Sequence, residues 1–406
     1  MKFKLALAAT ALLLSVHVGA AQLSTQGKAE LDRYLLEAVG TTHIPGMVAL
    51  VVDKDGIVYE KGFGLMDKAN KKPMTADAIF RLASMTKPIT SVGIMMLVEE
   101  GKVDLDAPAS KYLPALANRQ VITSWNAVDG TYKAAPAKNP MTVRQLLTHT
   151  SGLGYGFTSD VLNRLTNGSF GVRATSLPLM FEPGTQWLYG ESTAVLGEIA
   201  QAVSGKEIAV FLQERLLGPL KMTDTTFDVP AEKNPRVVTV HQRNGATMTE
   251  TPNPAGAITA PHRGDGGLSG TARDYSMFIR LVLNDGRAPG GARLLKPETV
   301  KLMSQNHTAP VKVSLQQSTN KLLSENFPVG AGVDSYALGF QRTEVQAPGL
   351  RSVGSLAWAG IYNTEFWIDK EKGIGGVLLM QFLPFYDARA IEVLQGFETR
   401  VYRSLN

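Results

Sequence analysis

The chain has 406 residues, 44% of them hydrophobic and 19% charged, with a formal net charge of +5 and no cysteine. The lack of cysteine excludes disulfides, thiolate metal sites and a cysteine nucleophile. The mild charge, with no run rich in Lys or Arg, excludes the electrostatic footprint of a nucleic-acid or membrane-surface binder.

The first 21 residues read MKFKLALAATALLLSVHVGAA: two lysines, an apolar run, then small residues. This is the pattern of a secretory leader, with Val18 and Ala20 suiting cleavage after Ala20 and cleavage after Ala21 nearly as good. The run is short and Ala-rich for a membrane span, and a retained N-terminal anchor is the competing reading. A bacterial origin and a periplasmic or secreted location are therefore expected, with no membrane span after processing. Loss of Lys2 and Lys4 would lower the charge from +5 to +3. The remainder is long enough to bury a large core without disulfides, as one unit or as two domains sharing a core.

Residues 24–40 carry Leu31, Tyr34, Leu35 and Ala38 at helical spacing. Asp55-Gly56 marks a hairpin turn between an apolar strand beginning at Gly46 and a second strand; the first should be buried on both faces. Next comes Phe80–Gly101. Its second half, Ile89 to Val98, is apolar almost all round, as suits a buried helix, and Gly101 is a natural stop. At its start, Ser84 and Lys87 are three residues apart, which on a helix puts both side chains on one face. A serine hydroxyl needs a neighbour to take its proton, and a lysine can do so where burial disfavours its charged form. The helix N-terminus would add N–H groups for an oxyanion, and Pro88 falls where a missing N–H costs least. S-x-x-K alone is a weak pattern.

Residues 118–140 are polar with Gly and Pro and read as an excursion loop. Residues 141–153 predict a short helix ending at Gly152, 158–180 irregular chain with helical pieces, 192–218 one or two helices, and 273–285 another. Further on, Tyr336–Val345, Arg351–Trp358 and Thr364–Phe382 read as strands, the last pair turning at Lys370–Gly373, and Tyr386–Leu405 as a closing helix. Strands at both ends and helices between predict an α+β fold: a mainly antiparallel sheet built from both chain ends and flanked by helices, with an inserted, mostly helical domain. The expected divisions are a leader at 1–20, a sheet domain from 21–84 and 230–406, and a helical domain at 85–229.

Five segments occur in one order: Ser84-Met-Thr-Lys87, Leu146-Leu-Thr-His-Thr-Ser-Gly-Leu153, Phe181-Glu-Pro-Gly-Thr-Gln-Trp-Leu-Tyr189, Gly266-Gly-Leu-Ser-Gly270 and Trp358-Ala-Gly360. In this the chain resembles the serine β-lactamase-related hydrolases: class C β-lactamases, D-alanyl-D-alanine peptidases and, most closely, family VIII carboxylesterases. The resemblance covers nearly all of the chain after the leader and implies the β-lactamase/transpeptidase-like fold. It assigns Ser84 as nucleophile and lets Tyr189 share the general-base role with Lys87. It makes the backbone N–H groups of Ser84 and Ile361 the oxyanion hole, and points to Trp358, Gly360 and Glu191 as substrate-binding. Two departures matter. Where the family has Y-x-N, this chain has Tyr189-Gly190-Glu191, which puts amide recognition in doubt. Where penicillin-recognising enzymes carry Lys-Thr-Gly, it has Trp358-Ala359-Gly360, like the W-G-G of family VIII, and a tryptophan cannot pair with a substrate carboxylate.

The resemblance therefore implies an exported serine hydrolase that cleaves neutral, small-molecule carboxylic esters through an acyl-enzyme on Ser84. The alternatives are β-lactamase or peptidase activity, acyl transfer to an alcohol, and a non-catalytic relative. A Ser-His-Asp mechanism lacks support: His43, His149, His241, His262 and His307 lie in no catalytic pattern, there is no G-x-S-x-G elbow, and His149 is expected to be structural. No metal and no cofactor are expected, since metal-ligand spacings are absent. Segments 154–180, 253–267 and 305–335 should shape the pocket.

Overall fold

The computed structural model describes residues 22–167, 176–251 and 261–405. The leader therefore lies outside the described residues, as do parts of the expected pocket segments 154–180 and 253–267.

An eight-stranded antiparallel sheet forms from both ends of the chain. The strand Gly46–Asp53 lies inside it, paired with Ile57–Asp67 on one side and with Ile374–Leu379 on the other. Thr364–Asp369 and Leu356–Gly360 follow outward, then the short strands Gln341–Arg342 and Ser335–Tyr336. The burial of Gly46–Asp53 explains its unbroken apolar run. Val48, Leu50 and Val52 enter one core, while Met47, Ala49 and Val51 enter a second core on the opposite face. The second core is roofed by two helices packed on each other, Thr25–Thr42 and Ala388–Arg403. The first is capped by Ser24, whose hydroxyl accepts from Gly27 N at 3.0 Å. The last is capped by Asp387, whose carboxylate accepts from Arg389 N at 3.0 Å. On the same face, the ring of Trp367 fills the space over Gly376, where a Cβ would come within 2.1 Å of it.

The other face of the sheet is covered by the helix Ala272–Leu283 and, beyond it, by Thr86–Glu99, whose side chains are nearly all buried. Thr86–Glu99 packs in turn against Ser192–Ser204 and Ile208–Leu212. The hairpin at Asp55-Gly56, the turn at Lys370–Gly373 and the terminal helices fall where the sequence puts them.

Three expectations change. Residues 118–140 are not a plain loop: Gln120–Trp125 and Tyr132–Pro136 form a two-stranded ribbon, closed by a turn in which Asn126 Oδ1 accepts from Val128 N at 2.9 Å. Its first strand is tied to the body by Ile122 N donating to Leu179 O at 2.9 Å and by the buried Val121, but most of its side chains are exposed, so it carries little apolar alternation to betray it. The helix expected to end at Gly152 spans only Val143–Leu147. It starts at a capping box of Thr142 with Gln145, and it stops because Thr148 Oγ1 folds back onto Arg144 O at 2.9 Å and His149 turns to φ 55°. The strands expected at 336–345 and 351–358 shrink to Ser335–Tyr336, Gln341–Arg342 and Leu356–Gly360, with irregular chain between.

Candidate active site

Ser84 sits in a single 3-10 turn, Ala83–Met85, that runs straight into the buried helix. Three contacts fix this turn. Phe80–Arg81 pairs antiparallel with Ser269–Gly270, so the glycine-rich segment is laid alongside the approach to Ser84. The Tyr275 hydroxyl donates to Met85 O at 3.0 Å, and Leu268 N donates to Thr86 Oγ1 at 3.2 Å. At the first residue of the turn, Ala83 takes φ 47°, a left-handed conformation that costs a non-glycine residue about 1 kcal/mol or more. The surrounding contacts hold that strain in place.

The Lys87 side chain is 1% exposed. Its Nζ lies 3.1 Å from Ser84 Oγ and donates to the backbone carbonyl of Asp265 at 2.6 Å. Its Nζ also faces two aromatic rings, Tyr189 at 4.9 Å and Tyr155 at 5.3 Å from the centroids. Tyr189 is 3% exposed and is positioned through its backbone, with Tyr189 N donating to Gln316 Oε1 at 3.2 Å. Its ring packs among Trp358 at 5.0 Å, His149 at 5.1 Å and Phe327 at 5.6 Å.

The structure places Lys87 Nζ against Ser84 Oγ and the Tyr189 ring 4.9 Å from that nitrogen. Ser84 and Ile361 line one cleft of about 300 Å³, whose walls include Phe227, Val237, Leu268 and Tyr362. Among the described residues, the Ile361 N–H makes no backbone hydrogen bond, so it is available to a ligand. Gly360 does something different from lining that cleft. A Cβ there would lie 2.2 Å from Leu82 O and 2.3 Å from Thr364 Oγ1. Its missing side chain lets the strand Leu356–Gly360 press against the Ser84 loop and bring Ile361 to the cleft. Trp358 is buried in the aromatic cluster and its indole N–H has no partner. Glu191 is buried and ion-paired, its Oε1 3.0 Å from Arg263 Nη2.

That ion pair belongs to a network in which the sequence reading gave no role to Tyr155, Arg263 or Asp265. Arg263 Nε and Nη2 each reach the Asp265 carboxylate at 3.0 Å, and the Tyr155 hydroxyl donates a short hydrogen bond to the same group. Burial alone would raise the Asp265 carboxyl. The Lys87 charge, the Arg263 fork and the Tyr155 donor override it and hold it at about 2. Burial and the neighbouring Asp265 charge push the Tyr155 phenol well above its usual value, so it stays a neutral donor. Charges thus alternate from Lys87 to Asp265, Arg263 and Glu191. Tyr155 falls in segment 154–180 and Arg263 and Asp265 in segment 253–267, both expected to shape the pocket, and Arg263-Gly264-Asp265 directly precedes the Gly266–Gly270 segment. Arg81 also lines the cleft without having been singled out.

His149 lies inside the aromatic cluster, 1% exposed, with Nδ1 unpartnered. Burial, aided by the Lys87 charge, lowers its ring to about 3, so it is neutral at ordinary pH. Among the described residues, no group of three or more His, Cys, Asp or Glu side chains is arranged to hold a metal ion. No helix among them is long and apolar enough to cross a membrane.

The sequence profile of the Beta-lactamase family matches residues 31–395. Protein Rv1367c of Mycobacterium tuberculosis is 30% identical over 395 residues, covering 89% of this chain and 95% of that protein. Lovastatin esterase of Penicillium rubens is 29% identical, covering 92% of this chain and 98% of that one. The solved structure of the LovD6 mutant of simvastatin synthase from Aspergillus terreus superposes with a TM-score of 0.80 at 25% identity, covering 94% of this chain and 98% of that one.

Proposed function

Given that the chain belongs to the beta-lactamase family, whose members similar to it include esterases and acyltransferases, we propose that it is an exported serine hydrolase cleaving neutral carboxylic esters through an acyl-enzyme on Ser84. The single observation that carries this reading is the 3.1 Å approach of Lys87 Nζ to Ser84 Oγ at the floor of a largely apolar cleft.

In the proposed reaction Lys87 together with Tyr189 accepts the Ser84 proton as Oγ attacks the ester carbonyl. The oxyanion is held by the N–H groups of Ser84 and Ile361, donors typically worth about 3 kcal/mol each. The alcohol leaves with the proton, and water, activated by the same pair, releases the acid and restores Ser84. Two features support an ester over a β-lactam or peptide. Glu191 spends its carboxylate on Arg263 where amide recognition would be expected, and Trp358 stands where a cation would hold a carboxylate. Removal of the leader after Ala20 or Ala21 would place the enzyme in the periplasm or outside the cell.

The test is a panel of p-nitrophenyl esters of rising acyl length with nitrocefin alongside. Butyrate turnover should far exceed nitrocefin turnover. Ser84→Ala should lower it roughly 10⁴-fold and abolish labelling by a fluorophosphonate, and Tyr189→Phe should lower kcat more than it changes KM. Nitrocefin turnover outpacing every ester, or labelling that survives Ser84→Ala, would overturn the proposal. A second reading, acyl transfer, draws support from the simvastatin synthase likeness. Here an alcohol takes the acyl group in place of water, and added butanol would yield a new ester at the expense of free acid.

A further inference from the structure

A second cavity, of about 350 Å³, lies between the strands Leu356–Gly360 and Thr364–Asp369 and the helix Ala388–Arg403, reaching the helix-covered face of the sheet through Ala357 and Glu365 and the aromatic cluster beside Tyr189 through Trp358 and Phe327. The register fixes which face this is. Ala357 pairs with Trp367, and Trp367 packs on Phe397 of the terminal helix with ring centroids 5.5 Å apart. Glu365, two residues from Trp367 on the same strand, faces the same way. The cavity is lined by Ala357 and Glu365 together with Phe327, Phe385, Tyr386 and Leu394.

Two observations make this more than a packing gap. First, Glu365 is only 7% exposed, its Oε1 has no hydrogen-bond partner, and no neighbour donates to its carboxyl. A buried polar oxygen left unmade costs more than a typical hydrogen bond returns, so it is retained where a ligand completes it. The nearby cation cannot do so: Arg351 is spent on Glu398, with contacts of 2.9 and 2.6 Å. Second, the mouth is apolar and open. Val329, Val333 and Val345 all line it and are 52%, 43% and 64% exposed. An apolar rim leading to an unsatisfied acceptor is the layout of a small-molecule site with few polar anchors.

Charge selects the ligand. The lining carries Asp334, Glu365 and Glu398 against the single cation Arg351. Asp334 is already engaged, accepting from Gln341 Nε2 at 2.7 Å and from Glu344 N at 3.1 Å. Burial keeps the Glu365 carboxyl protonated at pH 7 while the cavity is empty, and an entering alkylammonium displaces that proton to solvent, leaving the carboxylate as its acceptor. We propose that this cavity binds a primary aliphatic amine, its nitrogen donating to Glu365 and its chain lying along Phe327, Phe385 and Leu394 toward the valine rim. Binding is non-covalent and separate from ester cleavage. Phe327 and Trp358 nevertheless connect the two regions, since both line this cavity and pack on Tyr189, at 5.6 and 5.0 Å.

The experiment is calorimetric titration of the full chain at pH 7 with n-octylamine, 1-octanol, octanoate and octyltrimethylammonium. Octylamine is expected to bind with one site per chain, at least tenfold tighter than the other three. Glu365→Gln should weaken octylamine at least tenfold while leaving octanol within threefold. Ala357→Phe, which fills the cavity, should abolish binding of both, with folding of each variant checked by its thermal transition. Equal binding of octylamine and octyltrimethylammonium, or octylamine binding unchanged in both variants, would overturn the proposal. Undetectable octylamine binding to the wild-type chain would overturn it as well.

Discussion

Replacing Asp265 with asparagine tests the buried charge network beneath Lys87. Asparagine keeps the shape of the side chain and can still accept from Tyr155, but it removes the charge that Arg263 and Lys87 share. An ordinary aspartate titrates near 3.8, and in the fold Asp265 is held at about 2. At about 1.4 kcal/mol per pH unit, that gap is worth roughly 2 kcal/mol of stability at pH 7. Because the folded value is the lower one, this stability is complete above the unfolded value and is lost as pH falls through 3.8 toward 2. Linkage leaves about half of it at pH 3. Arg263 then keeps only its pair with Glu191 and loses its bidentate partner, a pH-independent loss that brings the total at pH 7 toward about 3 kcal/mol or more. The assay is urea unfolding of wild type and Asp265→Asn, followed by tryptophan fluorescence between pH 7 and pH 3. The variant should be the less stable protein at pH 7, with the difference shrinking by about 1 kcal/mol by pH 3. Its backbone carbonyl still receives Lys87, so fluorophosphonate labelling of Ser84 should persist at pH 7. A stability difference that does not vary with pH, or a variant as stable as wild type at pH 7, would refute the reasoning.

Glu365 should behave in the opposite sense. Burial raises its carboxyl from 4.5 to about 8, so the unfolded chain loses its proton first and stability falls as pH rises from 4.5 to about 8. Glu365→Gln, measured without amine present, should be more stable than wild type by up to about 3 kcal/mol at pH 7 and by little at pH 4, and the reverse trend in thermal scans would contradict this. Gly360→Ala places a methyl 2.2 Å from Leu82 O, costs about 1–3 kcal/mol by overpacking, and displaces Ile361 from the cleft. Its kcat should drop further than its thermal transition suggests, and a variant with wild-type kcat would separate Gly360 from oxyanion geometry.

The apolar periodicities were readable in the sequence because burial imposes them directly. Gly46–Asp53 shows no polar residue until its end because it serves two cores, and Ile89 to Val98 is apolar all round because protein surrounds that helix. The spacing of Ser84 and Lys87 is local, set by one turn of chain, so their contact was legible before any fold was known. Chain order fixed nothing about which distant segments meet. Asp265 is 178 residues from Lys87, and only the pairing of Phe80–Arg81 with Ser269–Gly270 brings its carbonyl onto the amine. The same holds for Tyr155 and Arg263, whose polar side chains look like surface residues until the fold encloses them together with Asp265. Gly360 and Glu365 lie five residues apart on neighbouring strands, yet one is explained by a carbonyl from the Ser84 loop and the other by a cavity against the terminal helix. Local spacing and burial patterns are written along the chain. The partners of a buried charge or a bare glycine arrive from far away in sequence, and only tertiary packing supplies them.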